Sequence, residues 1–523
     1  MRSTRLAAVL GMIVALCCAC GVGPSDRPVV ATERDSQGSG GDNSTSTPPP
    51  ENPLPALEKP KTDLEWRDCT RALLEVFGLG AGPAGLVLDC AEFSAAIDKS
   101  GNNVYGTFTV GALRARLPQT PVDAAPLVLT SGADRASSGT LASLAIGPAA
   151  GLLASRPIVA IDRRGIGNSQ PIECIAPEQR RQLLDLAQFS LAGEDAADAV
   201  AKLSQDATIA CKDFLQPQEL AFDAIHAADD LEELRSVWQV DTLALLGTGN
   251  GAKVALSYAA KYPKHVSRLI LDSPEGLGLD ATQLTDHRLQ GAEAAITAFA
   301  TRCTGLNCAL GPDPRKAITD LVNRARAGQL GSISSNALLT AISGFLGSPR
   351  GDQPSRVTVL ADTLASAAAG EVTALQSLIA REEALTEGDG QFINRCSDGQ
   401  QWPPPQRVRE LQKEWGEKFP IFGPEAALTM LACSAWPVAQ APPAPSDLKI
   451  PVLVLSGAAD PVTGNSGVSS VTGAIGNAGG QVSALSWQGW GHPVTAHSGC
   501  AQDSVVAYVN DGKLPPNGTV CPA

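Results

Sequence analysis

Three short stretches carry residue types that could do chemistry together. They are Gly247 to Gly251 in "GTGNG", Asp460 in "SGAADPVTG" and His492 in "WQGWGH". The first sits inside "LLGTGNGAKVALSYAAKYP", Leu245 to Pro263, which reads as an apolar strand, a glycine turn and a helix. Two chemistries use that shape. In dinucleotide binding, G-x-G-x-x-G/A lets the backbone approach a pyrophosphate at a helix N-terminus. Gly247, Gly249 and Ala252 fit it, and Asp272 closes the next apolar run at a spacing suited to a ribose. In nucleophilic catalysis, G-x-S-x-G exposes a serine at a sharp turn, with small residues two before and two after it so that strand and helix pack closely. Gly247 and Gly251 meet that need, but Gly249 stands at the nucleophile position.

The rest of the chain favours the second reading. A serine-type triad in the order Ser…Asp…His needs an acid after a late strand and a histidine after the last one. "IPVLVLSGAAD" supplies Asp460 and "VSALSWQGWGH" supplies His492. The dinucleotide alternative leaves both unused and places its βαβ unit in mid-chain. The elbow is therefore expected to be a hydrolase elbow that has lost its hydroxyl, with His492 and Asp460 as the remnant triad and Asn250 as the residue whose N–H would help hold an oxyanion. Glycine takes positive φ without a Cβ penalty, so the turn itself survives. What disappears is the attacking oxygen, because His activates a hydroxyl and has none here. No G-x-S-x-G occurs elsewhere. Hydroxyls that could substitute are Thr248, Ser257, Ser273, Ser137 and Ser138; an active peptidase or esterase using one of them with His492 and Asp460 is the alternative.

These residues need a sheet to position them. Residues 126–134, 157–165, 241–249, 266–274, 450–460 and 482–492 are short apolar runs ending in small or polar residues, separated by helical stretches such as "AADDLEELRSVWQV". That pattern predicts an α/β fold with a mostly parallel central sheet and helices on both faces. Between 277 and 445 the pattern turns helical, with no strand signal, which predicts an inserted helical lid over the carboxyl edge of the sheet. The expected division is a core at 62–276, the lid at 277–445 and the rest of the core at 446–523.

The N-terminal segment reads differently. "MRSTR" followed by "LAAVLGMIVAL" has the make-up of an export signal. A small residue before Cys20 resembles a bacterial lipobox, although Cys17 stands where a leucine is usual. We expect a lipoprotein signal peptide at 1–19, lipidation of Cys20 and a flexible tether over 20–61, rich in Gly, Ser, Asp and Pro. The ordinary secretory signal is the alternative, and either exports the chain. Outside the cytoplasm the ten cysteines beyond Cys20 read as disulfides. Their connectivity is open from sequence, although chain neighbours suggest Cys69–Cys90, Cys174–Cys211, Cys303–Cys308, Cys396–Cys433 and Cys500–Cys521. The formal net charge of −14, without any basic run, argues against nucleic-acid binding. No metal motif or cofactor site is evident.

Several motifs together resemble a known family, the secreted actinobacterial α/β-hydrolases similar to tripeptidyl aminopeptidases. "DRRGIGNSQPIEC" looks like the family's D-x-R-G-x-G-x-S segment, "CTGLNCALGPDPRKA" like the start of its lid, and "CSDGQQW" and "CSAWPV" like its paired lid cysteines. "SGAADPVTG" and "GWGH" match its acid and histidine positions. The resemblance runs from about Trp66 to the C-terminus and implies an α/β-hydrolase fold and the adjacent cysteine pairing. Two departures stand out: Gly249 at the nucleophile position, and "TSGADRASSG", Thr130 to Gly139, where the family has a glycine-rich oxyanion loop. The resemblance implies the ligand class, a short peptide; we expect a peptide or small envelope ligand, a monomer, and membrane attachment only through the lipid on Cys20. It also implies an acidic lid group for a ligand ammonium, for which Asp398 and the "REEALTEGD" run are candidates.

Overall fold

The computed structural model describes residues 54–98, 106–191, 193–348, 353–437 and 441–523. The expected signal peptide, Cys20 and most of the expected tether lie outside the described residues. The strands are β1 (Arg67–Asp68), β2 (Val87–Ala96), β3 (Thr107–Arg116), β4 (Leu127–Thr130), β5 (Ile158–Ile161), β6 (Leu243–Thr248), β7 (Val266–Asp272), β8 (Val452–Ala459), β9 (Val482–Trp490) and β10 (Thr519–Cys521). They form one sheet in the order β1-β2-β3-β5-β4-β6-β7-β8-β9-β10. The β1–β2, β2–β3 and β3–β5 pairs are antiparallel, and every pair from β5 to β10 is parallel.

The six expected strands are all present, and they are the central parallel ones. Every residue of β4, β5, β6 and β7 is buried. Strands covered on both faces read as continuous apolar runs, which is why they were legible. Successive side chains leave opposite faces: Val128 and Leu245 join one apolar cluster with Trp238 and Val254, whereas Leu127, Leu129 and Leu246 join another with Leu141 and Val505. The long β2–β3 hairpin was not anticipated. On the outer strand β2, buried and exposed residues are interspersed with small ones in "VLDCAEFSAA", which blurs the strand signal.

Among the described residues no strand lies between β7 and β8, and the connection is helical from Ala281–Gly305 to Gly423–Thr429. The lid has its own apolar cluster, including Phe299, Leu338, Phe345, Leu360 and Trp415. Leu186, Ala197 and Val200, which lie within the 62–276 span, pack in the same apolar cluster as the lid helices; the Ala196–Leu215 helix contributes the last two. The end of the expected tether is docked on the core, with Leu54 and Leu57 packed against it. There Arg268 Nη1 donates to the Pro55 carbonyl at 3.1 Å, and Lys61 N donates to the Trp238 carbonyl at 2.9 Å. All five neighbouring cysteine pairs are bonded.

Candidate active site

The chain passes from β6 to the Gly251–Lys261 helix through a two-residue turn, Gly249 and Asn250. Gly249 is its apex, with φ of +56°, and its N–H donates to the Asp272 carbonyl at 3.0 Å. The left-handed conformation expected of an elbow is therefore present, held by a residue for which it costs little.

Asp460 follows β8 and His492 follows β9, so both reach the carboxyl edge of the sheet beside that turn. Asp460 Oδ2 lies 2.8 Å from His492 Nδ1. A carboxylate only accepts, so Nδ1 carries the proton in this bond. Asp460 Oδ1 accepts from the N–H groups of Val462 and Thr463 at 2.8 and 3.0 Å, and Oδ2 also accepts from Thr463 Oγ1 at 3.1 Å. Burial alone would raise the Asp460 pKa; the His492 charge and these donors outweigh it and bring it below the ordinary value. Burial would likewise lower His492, yet Asp460, with Asp134 and Asp272 further off, raises it above 6.5. The ring's other nitrogen, Nε2, is 3.2 Å from the point where a Cβ on residue 249 would sit. The histidine is aimed at the apex, and the apex carries no hydroxyl.

The oxyanion donors are the second departure. Asn250 N–H, the expected donor, is taken by Asp134 Oδ2 at 2.6 Å. In the loop after β4, the N–H groups of Ser131, Gly132 and Ala133 donate to Ser137 Oγ, Thr130 Oγ1 and Asn250 Oδ1 at 2.9, 3.4 and 2.8 Å. The N–H groups of this loop, from which a hydrolase draws one oxyanion donor, are thus satisfied within the protein. Burial, reinforced by Glu275, raises the Asp134 pKa; Arg288, the Asn250 N–H and His492 oppose that without cancelling it.

Beneath the turn lies a buried polar network. Arg163 meets Asp398 through two bonds, Nη2–Oδ1 at 3.0 Å and Nη1–Oδ2 at 3.2 Å. Asn250 Oδ1 accepts from Arg163 Nη1 at 3.1 Å, and its Nδ2 donates to Asp398 Oδ2 at 3.1 Å and Glu275 Oε2 at 3.3 Å. Glu275 also pairs with Lys253 at 2.7 Å and with Arg288. Asp398 was a candidate for a ligand ammonium from sequence. Its side chain is fully buried against Arg163, so it clamps the lid to the elbow instead. From the acidic run, Glu382 and Glu387 do line the cavity, paired with Arg135 at 2.8 Å and Arg395 at 3.7 Å.

The cavity has a volume of about 330 Å³, lies between the lid and the sheet edge, and reaches Asp134 and His492. Of the substitute hydroxyls, Thr248 lines it, bonded to Ser131 Oγ at 2.9 Å. Ser137 and Ser138 are buried at the start of the Ser137–Ile146 helix, Ser257 is buried in the elbow helix, and Ser273 Oγ donates to Asp272 at 3.1 Å; none of the four lines the cavity. Ser131, Arg163 and Asp134 had escaped sequence reasoning as site residues. Asp134 follows a strand end, as Asp460 does, but no motif distinguishes it. Among the described residues no group of three or more His, Cys, Asp or Glu could hold a metal ion.

The strand order, the glycine-apexed turn after β6, and the acid and histidine after β8 and β9 define an α/β-hydrolase fold. The family model described as TAP-like protein matches residues 419–521, a span that includes both Asp460 and His492. The serine protease Hip1 of Mycobacterium tuberculosis is 27% identical over 164 residues, 31% of this chain and 31% of that protein, and the Mycobacterium bovis protein matches equally. The alignment thus spans about a third of the curated relatives it matches. Among solved structures, esterase E22 is 13% identical, covering 80% of this chain and 98% of its own at a TM-score of 0.40. Epoxide hydrolase A from Mycobacterium thermoresistibile is 16% identical, covering 82% and 100% at 0.36. The chain is similar to hydrolases of peptidase and esterase type.

Proposed function

We propose that this chain is an exported α/β-hydrolase-type protein that binds a peptide or small envelope ligand in its lidded cavity and does not cleave it by serine chemistry. In this reading Cys20 carries the lipid that anchors a monomer to the outer face of the cell membrane, and no cofactor takes part. The observation that carries the reading is a His492–Asp460 pair of good geometry aimed at a glycine. Without the nucleophile, residual catalysis over water of about 10³–10⁴-fold is the most that binding and electrostatics leave, about 4–5.5 kcal/mol of barrier.

A second reading, hydrolysis from an unrecognised hydroxyl, has one observation in its favour: Thr248 and Ser131 face the same cavity as His492. One experiment separates the two. The purified protein is incubated with a fluorophosphonate and with peptide and ester substrates, and its intact mass is followed. We expect no adduct and no turnover that depends on His492. A stoichiometric adduct on Thr248 or Ser131, with turnover lost in His492→Ala, overturns the binding reading. Short peptides raising the thermal midpoint without being cleaved support it.

A further inference from the structure

Asp134 is the strongest group at the site that this reading leaves unused. Its Oδ2 accepts the Asn250 N–H at 2.6 Å and lies 2.6 Å from where a Cβ on residue 249 would be. A carbon and an oxygen not bonded to each other do not approach so closely. Its Oδ1 is 3.8 Å from Arg288. The carboxylate therefore spans the apex of the turn and the donor that would hold an oxyanion, with His492 facing the same point.

We infer that Asp134 is a resident occupant of the oxyanion position, and the residue that decides what this site refuses. While it holds the Asn250 N–H, a substrate's acyl oxygen finds no donor there. Gly249 and Asp134 are then neighbours in one feature: a Cβ at 249 meets the flexible end of Asp134, which must shift to admit it, while the bond from the Asn250 N–H holds that carboxylate at the site. This deepens the proposed function and rests on it in taking residue 249 as the nucleophile position.

The test compares wild type, Gly249→Ser, Asp134→Ala, the Gly249→Ser/Asp134→Ala double variant and the Gly249→Ser/Asp134→Asn double variant, each treated with a fluorophosphonate. In the labelling step the introduced hydroxyl bonds to phosphorus, fluoride departs with the P–F electron pair, and the hydroxyl proton passes to His492 Nε2. Removing one oxyanion donor from a hydrolase costs about 10²–10³-fold. We therefore expect the Ala double variant to label at position 249 at least about 100-fold faster than Gly249→Ser alone. The Asn double variant, whose amide keeps the same volume in place, should stay slow. Equal labelling of Gly249→Ser and the Ala double variant overturns the inference, as does a folded Ala double variant that does not label. Labelling of the wild type overturns the proposed function instead.

A second measurement needs no serine. Asp134→Ala leaves a space shaped for a carboxylate beside the Asn250 N–H and Arg288, so acetate should raise its thermal midpoint more than that of the wild type. Equal acetate responses of the two count against the occupancy, whatever the fate of the double variants.

Discussion

Two histidines five residues apart in "GHPVTAH" sit in opposite electrostatic surroundings. His492 is bonded to Asp460 at 2.8 Å, whereas His497 stacks on Trp487 with ring centroids 5.3 Å apart and faces Arg356. Burial disfavours the charged form of both. For His492 nearby carboxylates more than offset it and raise the pKa above 6.5; for His497 the Arg356 charge adds to it and the pKa falls to about 3.

The two rings should therefore titrate far apart. In NMR titrations of imidazole resonances, assigned with His492→Gln and His497→Gln, we expect one midpoint above 6.5 and one near 3. The stability consequence has a definite sign. A raised folded-state pKa means that the charged His492 stabilises the fold below 6.5, and that this contribution fades as pH rises through the raised value. The difference in thermal midpoint between wild type and His492→Gln should shrink as pH climbs past that point. A constant or growing difference would mean that the Asp460 pairing does not set the His492 charge.

How much of this was legible follows from chain distance. The elbow is a local object, an apolar strand, small residues and a helix within one stretch, and period and composition reveal it. Asp460 and His492 follow strand ends, so the order of elements placed them. Asp134 was not legible because its position depends on Asn250, 116 residues away, and on a loop that satisfies its own N–H groups. Asp398 was misread for the same reason: an acidic residue in a lid looks solvated until Arg163, 235 residues earlier, is found beside it.

That ion pair makes its own prediction. The side chains of Arg163 and Asp398 are 1% and 0% exposed, so removing one partner strands a buried charge. Asp398→Ala should cost about 3–5 kcal/mol, read as a lowered midpoint in urea. It also removes acceptors from Asn250 Nδ2 and the Ala224 N–H. Asp398→Asn, which keeps an acceptor, should cost less. A change under about 1 kcal/mol in Asp398→Ala would show that water reaches Arg163 readily.

The disulfides should differ in worth. Cys396 and Cys433 are 37 residues apart, whereas Cys303 and Cys308 are 5 apart. If a crosslink acts mainly by restricting the unfolded chain, stabilisation grows with the logarithm of the closed loop, a difference of about 2 kcal/mol here. Replacing Cys396 and Cys433 by alanine should lower the thermal midpoint clearly more than the same change at Cys303 and Cys308. Both bonded cysteines of the longer loop are buried in one cluster with Ile393 and Trp436, so lost packing adds to the effect. Equal losses would mean that native-state terms dominate.

The last prediction concerns the residue that closes the elbow. A Cβ on Gly251 would be driven into the Thr130 carbonyl, with Ser131 Cα only 2.9 Å away. These are backbone atoms of the neighbouring strand and its loop, so no side-chain rotation relieves the clash. The helix would have to move off the sheet, opening the packing of Ala252 and Val254 against Val128 and Leu245. Overpacking of this kind costs about 1–3 kcal/mol or more. Gly251→Ala should therefore fall at or above the upper end of that range. Gly305→Ala, where a Cβ meets open space, should leave the thermal midpoint almost unchanged. A Gly251→Ala protein as stable as wild type would mean that the elbow tolerates a wider separation of helix and sheet, and with it a less constrained path for Asn250 and Asp134.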